Sequence, residues 1–146
     1  MQVEIKIDDS CNEPKIIIIT DKVTDEVNDI IKTLSSSPLE FVTGFNNDLA
    51  EILSLSDIVR IYAANGKTFA LVGQKEYIIR QRLYELEEQL AKYNFVRISN
   101  SEIVNLKKVR NFDLSLSGTI CVTLSGGTVT YVSRRYVSKI KKVLGV

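Results

Sequence analysis

Apolar and polar residues alternate at the start of the chain and then give way to an aliphatic run. Residues 2–7 (QVEIKI) alternate with a period of two, which is typical of a half-buried strand, and residues 15–20 (KIIIIT) indicate a second, largely buried strand. Thr24 has the character of a helix N-cap, and Asp25 and Glu26 follow where the helix dipole favours acidic side chains. Together these patterns predict a small strand–strand–helix unit, whose helix ends at the sequence Ser-Ser-Ser-Pro.

The pattern in the rest of the chain predicts short strands interrupted by two helices. Residues 57–63 and 68–72 flank the dipeptide Asn65-Gly66, which is a strong signal for a hairpin turn. Leucines at helical spacing predict a helix over residues 82–92, and a second short helix is predicted over residues 136–144. The further predicted strands are residues 77–80, 95–98, 103–104, 109–116, 119–124 and 128–132.

The predicted fold class is α+β. It comprises the strand–strand–helix unit over residues 1–52 and a mainly β layered sandwich with two short helices over residues 53–146. The net charge is +1, yet residues 1–60 carry 5 basic and 12 acidic residues (−7), and residues 61–146 carry 14 basic and 6 acidic residues (+8). This asymmetry indicates an acidic accessory or dimerisation unit joined to a basic unit that faces phosphate or another anionic surface.

Composition removes several classes of function. The 146 residues are 45% hydrophobic and 25% charged, as in a globular chain of about one domain. The absence of histidine excludes Ser-His-Asp and Cys-His catalysis, and two distant cysteines do not make a zinc site. No apolar run approaches the roughly 20 residues that span a bilayer, and no secretory signal is recognisable. We therefore expect a cytoplasmic protein without a cofactor, a metal ion, a membrane or an evident small-molecule substrate.

The first set of candidate binding residues lies in residues 95–109 (FVRISNSEIVNLKKV). Ser99, Asn100 and Ser101 form a polar insertion between two predicted strands. The asparagine amide is the side chain that pairs bidentately with an adenine edge, and serine hydroxyls suit phosphate oxygens. The alternative is a turn held by local hydrogen bonds of these serine and asparagine side chains.

A second candidate lies in residues 131–144 (YVSRRYVSKIKKVL). Ser133 has the character of an N-cap, and Arg134 and Arg135 follow it at the start of a helix. Two cations at a positive helix N-terminus are unfavourable, which indicates an external anion or a guanine edge that arginine reads in fork geometry. Tyr136 is predicted to belong to the core, and a phosphate contact is the alternative.

These two motifs together resemble the LytTR-type DNA-binding domain family of bacterial transcription regulators. The resemblance extends from residue 57 to residue 144 and rests on residues 95–98, 101, 103–105 and 132–136. It implies a layered sandwich of strands that inserts loops from one edge into successive major grooves of DNA. Residues 1–52 are too few for the receiver domain that many members carry, so we expect a stand-alone member whose N-terminal unit joins two protomers or folds back over the basic face.

The resemblance also assigns roles to individual positions. Asn100 falls on a base-contacting position and Arg135 on a groove-contacting arginine, while Ser99 stands where the family most often has histidine. Asn105 matches an asparagine that we interpret as partly structural, and the turn that contains Lys67 corresponds to a third contact. The candidate base contacts are Ser99, Asn100 and Arg135, and the candidate phosphate contacts are Lys67, Asn105, Lys107, Lys108, Ser133, Arg134, Lys139 and Lys141.

The leading hypothesis is therefore a sequence-specific regulator that binds double-stranded DNA as a homodimer on paired half-sites. The alternative is a protein-interaction module whose basic half docks an acidic partner. An enzyme is not expected, because Glu102 and Asp113 are the only carboxylates after Tyr93 and no third group accompanies them. RNA binding is disfavoured because no set of stacking aromatic residues is evident.

Overall fold

The computed structural model describes residues 1–35 and 41–146, and the chain divides into compact units of residues 1–38 and 39–146. This division precedes the sequence-based boundary at residue 52. Strands β1 (Phe41–Asn46) and β2 (Leu49–Ser54) form an antiparallel hairpin within the main sheet of the second unit. The change of net charge along the sequence places most of these residues in the N-terminal unit, whereas the pairing of β1 with the main sheet joins them to the second unit.

The first unit contains the predicted helix but not the predicted strands. Helix α1 (Asp25–Ser35) begins after Thr24, whose Oγ1 accepts a hydrogen bond from the N–H of Val27 at 3.4 Å. The predicted helix end lies beyond Ser35, outside the described residues. Residues 2–7 and 15–20 adopt no strand and are exposed throughout, so the prediction of two strands is wrong here. A period-two pattern suits a segment to one face of a sheet, but a strand forms only beside a hydrogen-bonded neighbouring strand.

The second unit is built on a seven-stranded antiparallel sheet in the order β2-β1-β5-β4-β3-β7-β6. Its remaining strands are β3 (Ile58–Ala64), β4 (Lys67–Val72), β5 (Lys75–Ile79), β6 (Phe95–Ser99) and β7 (Glu102–Asn105). The β3–β4 turn has positive φ angles of 53° at Asn65 and 75° at Gly66. This backbone twist is the one that a two-residue hairpin turn requires, which confirms the turn read from the sequence.

A three-stranded sheet and two helices complete the second unit. They are β8 (Val109–Asp113), β9 (Ile120–Leu124), β10 (Val129–Val132), α2 (Leu83–Leu90) and α3 (Val137–Leu144). The small sheet has the order β10-β9-β8 and is antiparallel. No helix in the described ranges is long and apolar enough to cross a membrane.

Two buried clusters place the large sheet between two layers. Leu83, Leu86 and Leu90 of α2 pack with Ile103 of β7 in one cluster, as the leucine spacing predicted. Val104 of β7 instead belongs to the second cluster, together with buried residues of the small sheet and of α3. Successive side chains of a strand point to opposite faces, so α2 covers one face and the small sheet with α3 covers the other. This layered arrangement confirms the α+β class. With both faces of the large sheet covered, its exposed parts include the turns at the ends of the strands.

Candidate nucleic-acid interface

Four connections meet at one edge of the second unit. The N–H of Ala63, at the end of β3, donates to the carbonyl oxygen of Ser101 in the β6–β7 turn at 2.8 Å. The N–H of Ser133, after β10, donates to the carbonyl oxygen of Ile98 at the end of β6 at 2.9 Å. The end of β5 pairs with the start of β4, so the β5–α2 connection lies beside the β3–β4 turn at this same edge. We call this set the loop edge; it consists of residues 65–67, 80–82, 99–101 and 133–136.

Asn100 lies at the tip of the β6–β7 turn and is exposed. Its Oδ1 accepts a hydrogen bond from the hydroxyl of Tyr136 at 3.3 Å, and its carbonyl oxygen accepts one from Nη2 of Arg97 at 2.6 Å. Its amide nitrogen makes no hydrogen bond to any other described residue. The backbone and the side-chain oxygen are thus held while the amide group faces solvent, which suits recognition of an external acceptor.

Arg97 on β6 holds the β6–β7 turn through hydrogen bonds of its guanidinium group. Its Nε donates to the carbonyl oxygen of Ser99 at 3.0 Å, its Nη2 reaches Asn100, and its Nη1 pairs with Oε2 of Glu87 on α2 at 2.8 Å. The side chain of Arg97 is only 15% exposed. One planar group therefore fixes two consecutive carbonyls of the turn and connects them to the helix layer. Sequence reasoning quoted Arg97 as part of the motif but gave it no role.

Glu87 has two cationic neighbours. Besides Arg97, Nζ of Lys139 on α3 lies 3.4 Å from its Oε1. Burial alone would raise the pKa of Glu87, but the hydrogen bonds and charges of Arg97 and Lys139 outweigh it and lower that pKa. Glu87 is thus a carboxylate at neutral pH, and the candidate phosphate contact Lys139 is already part of an ion pair.

The β10–α3 connection adds the second predicted motif. Arg134 and Arg135 lie in a 3-10 turn (Arg134–Tyr136) and are exposed. Neither makes a hydrogen bond or ion pair with another described residue, and the guanidinium of Arg134 lies beside Gly118 in the β8–β9 connection. Ser133 makes no side-chain cap bond, contrary to its N-cap character. Both guanidinium groups thus belong to a connection whose Tyr136 reaches Asn100.

Tyr136 links the two motifs. Its ring packs against the second cluster, as its predicted core position requires, and its hydroxyl reaches Asn100. The hydroxyl of Ser99 accepts a hydrogen bond from the N–H of Ser101 at 3.2 Å. Ser99 thus stabilises the β6–β7 turn, which is the alternative role that the sequence offered for these serine and asparagine side chains.

A groove of about 390 Å³ extends the loop edge towards β4 and α2. Its lining includes Lys67, a candidate phosphate contact, and Asn100. It also includes Arg80 and Arg82, which sequence reasoning did not select. In the sequence they are two arginines separated by one residue, just before a predicted helix. Nothing in the linear sequence relates them to the β6–β7 turn.

Three candidate phosphate contacts do not join this surface. Asn105 is 1% exposed; its Nδ2 donates to the carbonyl oxygen of Ile58 at 2.9 Å, and its Oδ1 accepts from the N–H of Lys107 at 3.0 Å. The prediction of a phosphate contact for Asn105 is therefore wrong in this structure, and only its structural interpretation fits. Lys107 and Lys108 follow the other end of β7, about 13 Å from the Asn100 turn for four strand residues at about 3.3 Å each.

Lys141 is exposed in the last turn of α3, and no hydrogen bond or ion pair connects it to the loop edge among the described residues. No group of three Asp, Glu or Cys side chains in the described ranges could hold a metal ion. The features of the surface are thus its turns, its amide and its guanidinium groups.

Polar and cationic turns along one edge of a mixed sheet-and-helix domain are the kind of surface that contacts nucleic-acid phosphates and bases. The sequence profile of the family described as "LytTr DNA-binding domain" matches residues 50–145. The chain belongs to this family, as its two motifs predicted.

Relatives and a solved structure agree with this membership. Proteins named uncharacterized HTH-type transcriptional regulators, from Staphylococcus aureus strains NCTC 8325 and MSSA476, are 31% identical over 147 residues, covering 100% of this chain and 99% of each relative. The LytTr DNA-binding domain of a protein described as a methyl-accepting/DNA response regulator from Bacillus cereus superposes with a TM-score of 0.70 at 25% identity, covering 73% of this chain and 98% of that one.

The helix-turn-helix in the relatives' names does not describe the candidate surface of this chain. Helices α2 and α3 are separated by the five strands β6–β10, not by a short turn. The described residues of the loop edge are turns between strands and connections before helices.

Proposed function

We propose that this protein is a transcriptional regulator that reads double-stranded DNA by inserting the turns of the loop edge into successive major grooves. In this proposal Asn100 and Arg135 contact base edges, and Lys67, Arg134 and Lys139 contact phosphates. A major groove about 12 Å wide admits a two-stranded turn, and asparagine and arginine are the residues that read adenine and guanine there.

The proposal rests on one observation above all. The hydrogen bond between Tyr136 and Asn100 places the two predicted motifs side by side on an exposed edge, although 36 residues separate them. Among the described residues, the amide nitrogen of Asn100 has no hydrogen-bond partner, and the guanidinium of Arg135, the neighbour of Tyr136, has no ion-pair partner.

We further propose that the protein acts as a homodimer on paired half-sites, joined through its N-terminal segment. Val3, Ile5 and Ile7 are each 87–90% exposed, which is unusual for three apolar residues in one short segment. Their period-two spacing would let the segment pair with a second copy and form the strand that it does not form alone.

The deciding experiment is selection of bound duplexes from a random library, followed by affinity measurements at several salt concentrations. We expect one enriched sequence repeated as two half-sites. The slope of log K against log salt should be about −2.7 per protomer from these three phosphate contacts alone, and steeper with each further contact. A slope near zero, or no enrichment, would contradict the proposal, and binding of an acidic protein without DNA binding would favour the interaction-module alternative.

A further inference from the structure

The groove beside Asn100 is cationic and lacks a compensating acid. Lys67, Arg80, Arg82 and Arg97 line it, and no Asp or Glu of the described residues does. Within the described part of the chain, Arg97 alone of these four has a carboxylate partner, which is Glu87 outside the groove. Lys67, Arg80 and Arg82 are exposed and form no ion pair with another described residue. Three unpaired cations around one concavity repel one another unless an anion occupies it.

Arg82 occupies a position that is poor for folding. It is the N-cap of α2, and its side chain makes no capping hydrogen bond. Ser, Thr, Asp and Asn are the residues that stabilise this position, and a cation there opposes the positive end of the helix dipole. The arginine therefore does not serve the helix, whereas it does add a positive charge and five N–H donors to the groove.

Arg80 is held in place by a different contact. Its guanidinium lies over the ring of Phe45 on β1, 4.0 Å from the ring centroid. Stacking of this kind orients the planar group and leaves its N–H donors at the edge free to bind oxygen atoms. Arg80 is thus preorganised, although no described acceptor satisfies it.

We propose that this groove binds a phosphate of the DNA backbone, with Arg80 and Arg82 as its principal donors and Lys67 at its rim. This inference rests on the proposed function. Because Asn100 lines the same groove, a duplex whose base edge meets Asn100 also brings backbone phosphates to Arg82. The interface then includes the β5–α2 connection, which neither of the two sequence motifs contains.

Arg82→Ser separates a binding role from a folding role, since serine supplies the missing N-cap. We expect the variant to be at least as stable as the wild type by thermal unfolding, yet to bind DNA more weakly. The loss should be the same on the selected sequence and on random duplex, and the salt slope should become shallower by about 0.9. Arg82→Lys keeps the charge and should retain most of the slope. Lys75→Gln is the matched control, because Lys75 lies at the opposite end of β5.

The outcomes are distinguishable from those that concern the function itself. If Arg82→Ser and Arg80→Gln leave affinity and slope unchanged while Asn100→Ala still loses the selected sequence, the phosphate groove is refuted and the proposed function stands. If the wild-type protein binds no duplex, both fail together. If Arg82→Ser weakens binding of an acidic polypeptide such as polyglutamate but not of DNA, the groove serves a protein partner and the inference is likewise overturned.

Discussion

The hydroxyl of Tyr136 donates to Oδ1 of Asn100 across 3.3 Å and joins the β10–α3 connection to the β6–β7 turn. An amide whose oxygen is already engaged presents its nitrogen in a defined direction. The nitrogen can then donate to an acceptor such as N7 of a purine, or the amide can exchange the tyrosine for a bidentate pairing with adenine. We therefore propose that Tyr136 acts on recognition through Asn100.

Replacing Asn100 by alanine should reduce specificity. We expect a loss of about 1–3 kcal/mol on the selected sequence and little change on random duplex, because base contacts specify and phosphate contacts position. Quantitative mobility shifts on both duplexes measure this difference. Asn111→Ala is the matched control, since Asn111 is an exposed asparagine on β8 away from the loop edge. Equal losses on both duplexes would mean that Asn100 does not read a base.

Removing the hydroxyl of Tyr136 tests the relationship directly. Tyr136→Phe keeps the packed ring and removes one hydrogen bond, so we expect affinity for the selected sequence to fall by about 0.5–1.5 kcal/mol with little change in unfolding. Tyr131→Phe is the control, because Tyr131 is exposed on β10 and its hydroxyl bonds to no described residue. A variant as specific as the wild type would show that Tyr136 does not orient Asn100.

Arg97→Gln should lower both stability and specificity. The guanidinium makes three hydrogen bonds, one of them to a carboxylate, and losing a bond to a charged group costs about 1.5–3 kcal/mol. Urea unfolding measures the first effect, and comparison of selected with random duplex measures the second. Arg110→Gln, at an exposed arginine on β8, should change neither. Normal specificity in a destabilised Arg97→Gln variant would confine Arg97 to folding.

The ion pair of Glu87 predicts a pH dependence. Folding lowers the pKa of Glu87 below its ordinary value of 4.5, so the ionised form is the one that stabilises the fold. The stability difference between wild type and Glu87→Gln should be complete above pH 4.5 and should disappear as the pH falls through the lowered pKa. Urea unfolding at a series of pH values measures this difference. A difference that grew on acidification would have the wrong sign and would exclude the ion pair as its source.

Asn105 should behave as a structural residue. Asn105→Asp removes the donor to the carbonyl oxygen of Ile58 and buries a carboxylate, so we expect unfolding to be easier by about 2–3 kcal/mol. At a temperature where the variant stays folded, the salt slope of DNA binding should equal that of the wild type. Equal losses of affinity on the selected and the random duplex, with normal stability, would instead restore Asn105 as a phosphate contact.

Dimerisation should depend on the exposed aliphatic residues of the N-terminus. The double variant Ile5→Gln and Ile7→Gln keeps the charge and removes apolar surface, so we expect a shift from dimer to monomer in light scattering after size exclusion. Binding to two half-sites should weaken, while binding to one half-site should not. Val129→Gln, at an apolar residue 51% exposed on β10, should leave the dimer intact. An unchanged mass for the double variant would place the dimer contact elsewhere or exclude it.

Local features of this protein were readable from its sequence because they depend on neighbours along the chain. The hairpin at Asn65-Gly66, the buried leucines of α2 and helix α1 after Thr24 all follow from dihedral preferences and side-chain periodicity. The residues that carry the candidate site, Asn100 and Arg135, were also selected, since their motifs are contiguous and belong to a family.

Tertiary structure decided how those features combine. The strand order of the large sheet brings the β5–α2 connection near the β6–β7 turn. The hydrogen bond from the N–H of Ser133 to the carbonyl oxygen of Ile98 brings the β10–α3 connection there from the other sheet. These contacts give Tyr136, Arg97 and Arg82 roles that their positions in the sequence do not indicate. The same order buries Asn105 and places Lys107 at the far end of β7. Hydrogen bonds between distant segments are set by packing and strand register, and neither is encoded in the spacing of residues along one segment.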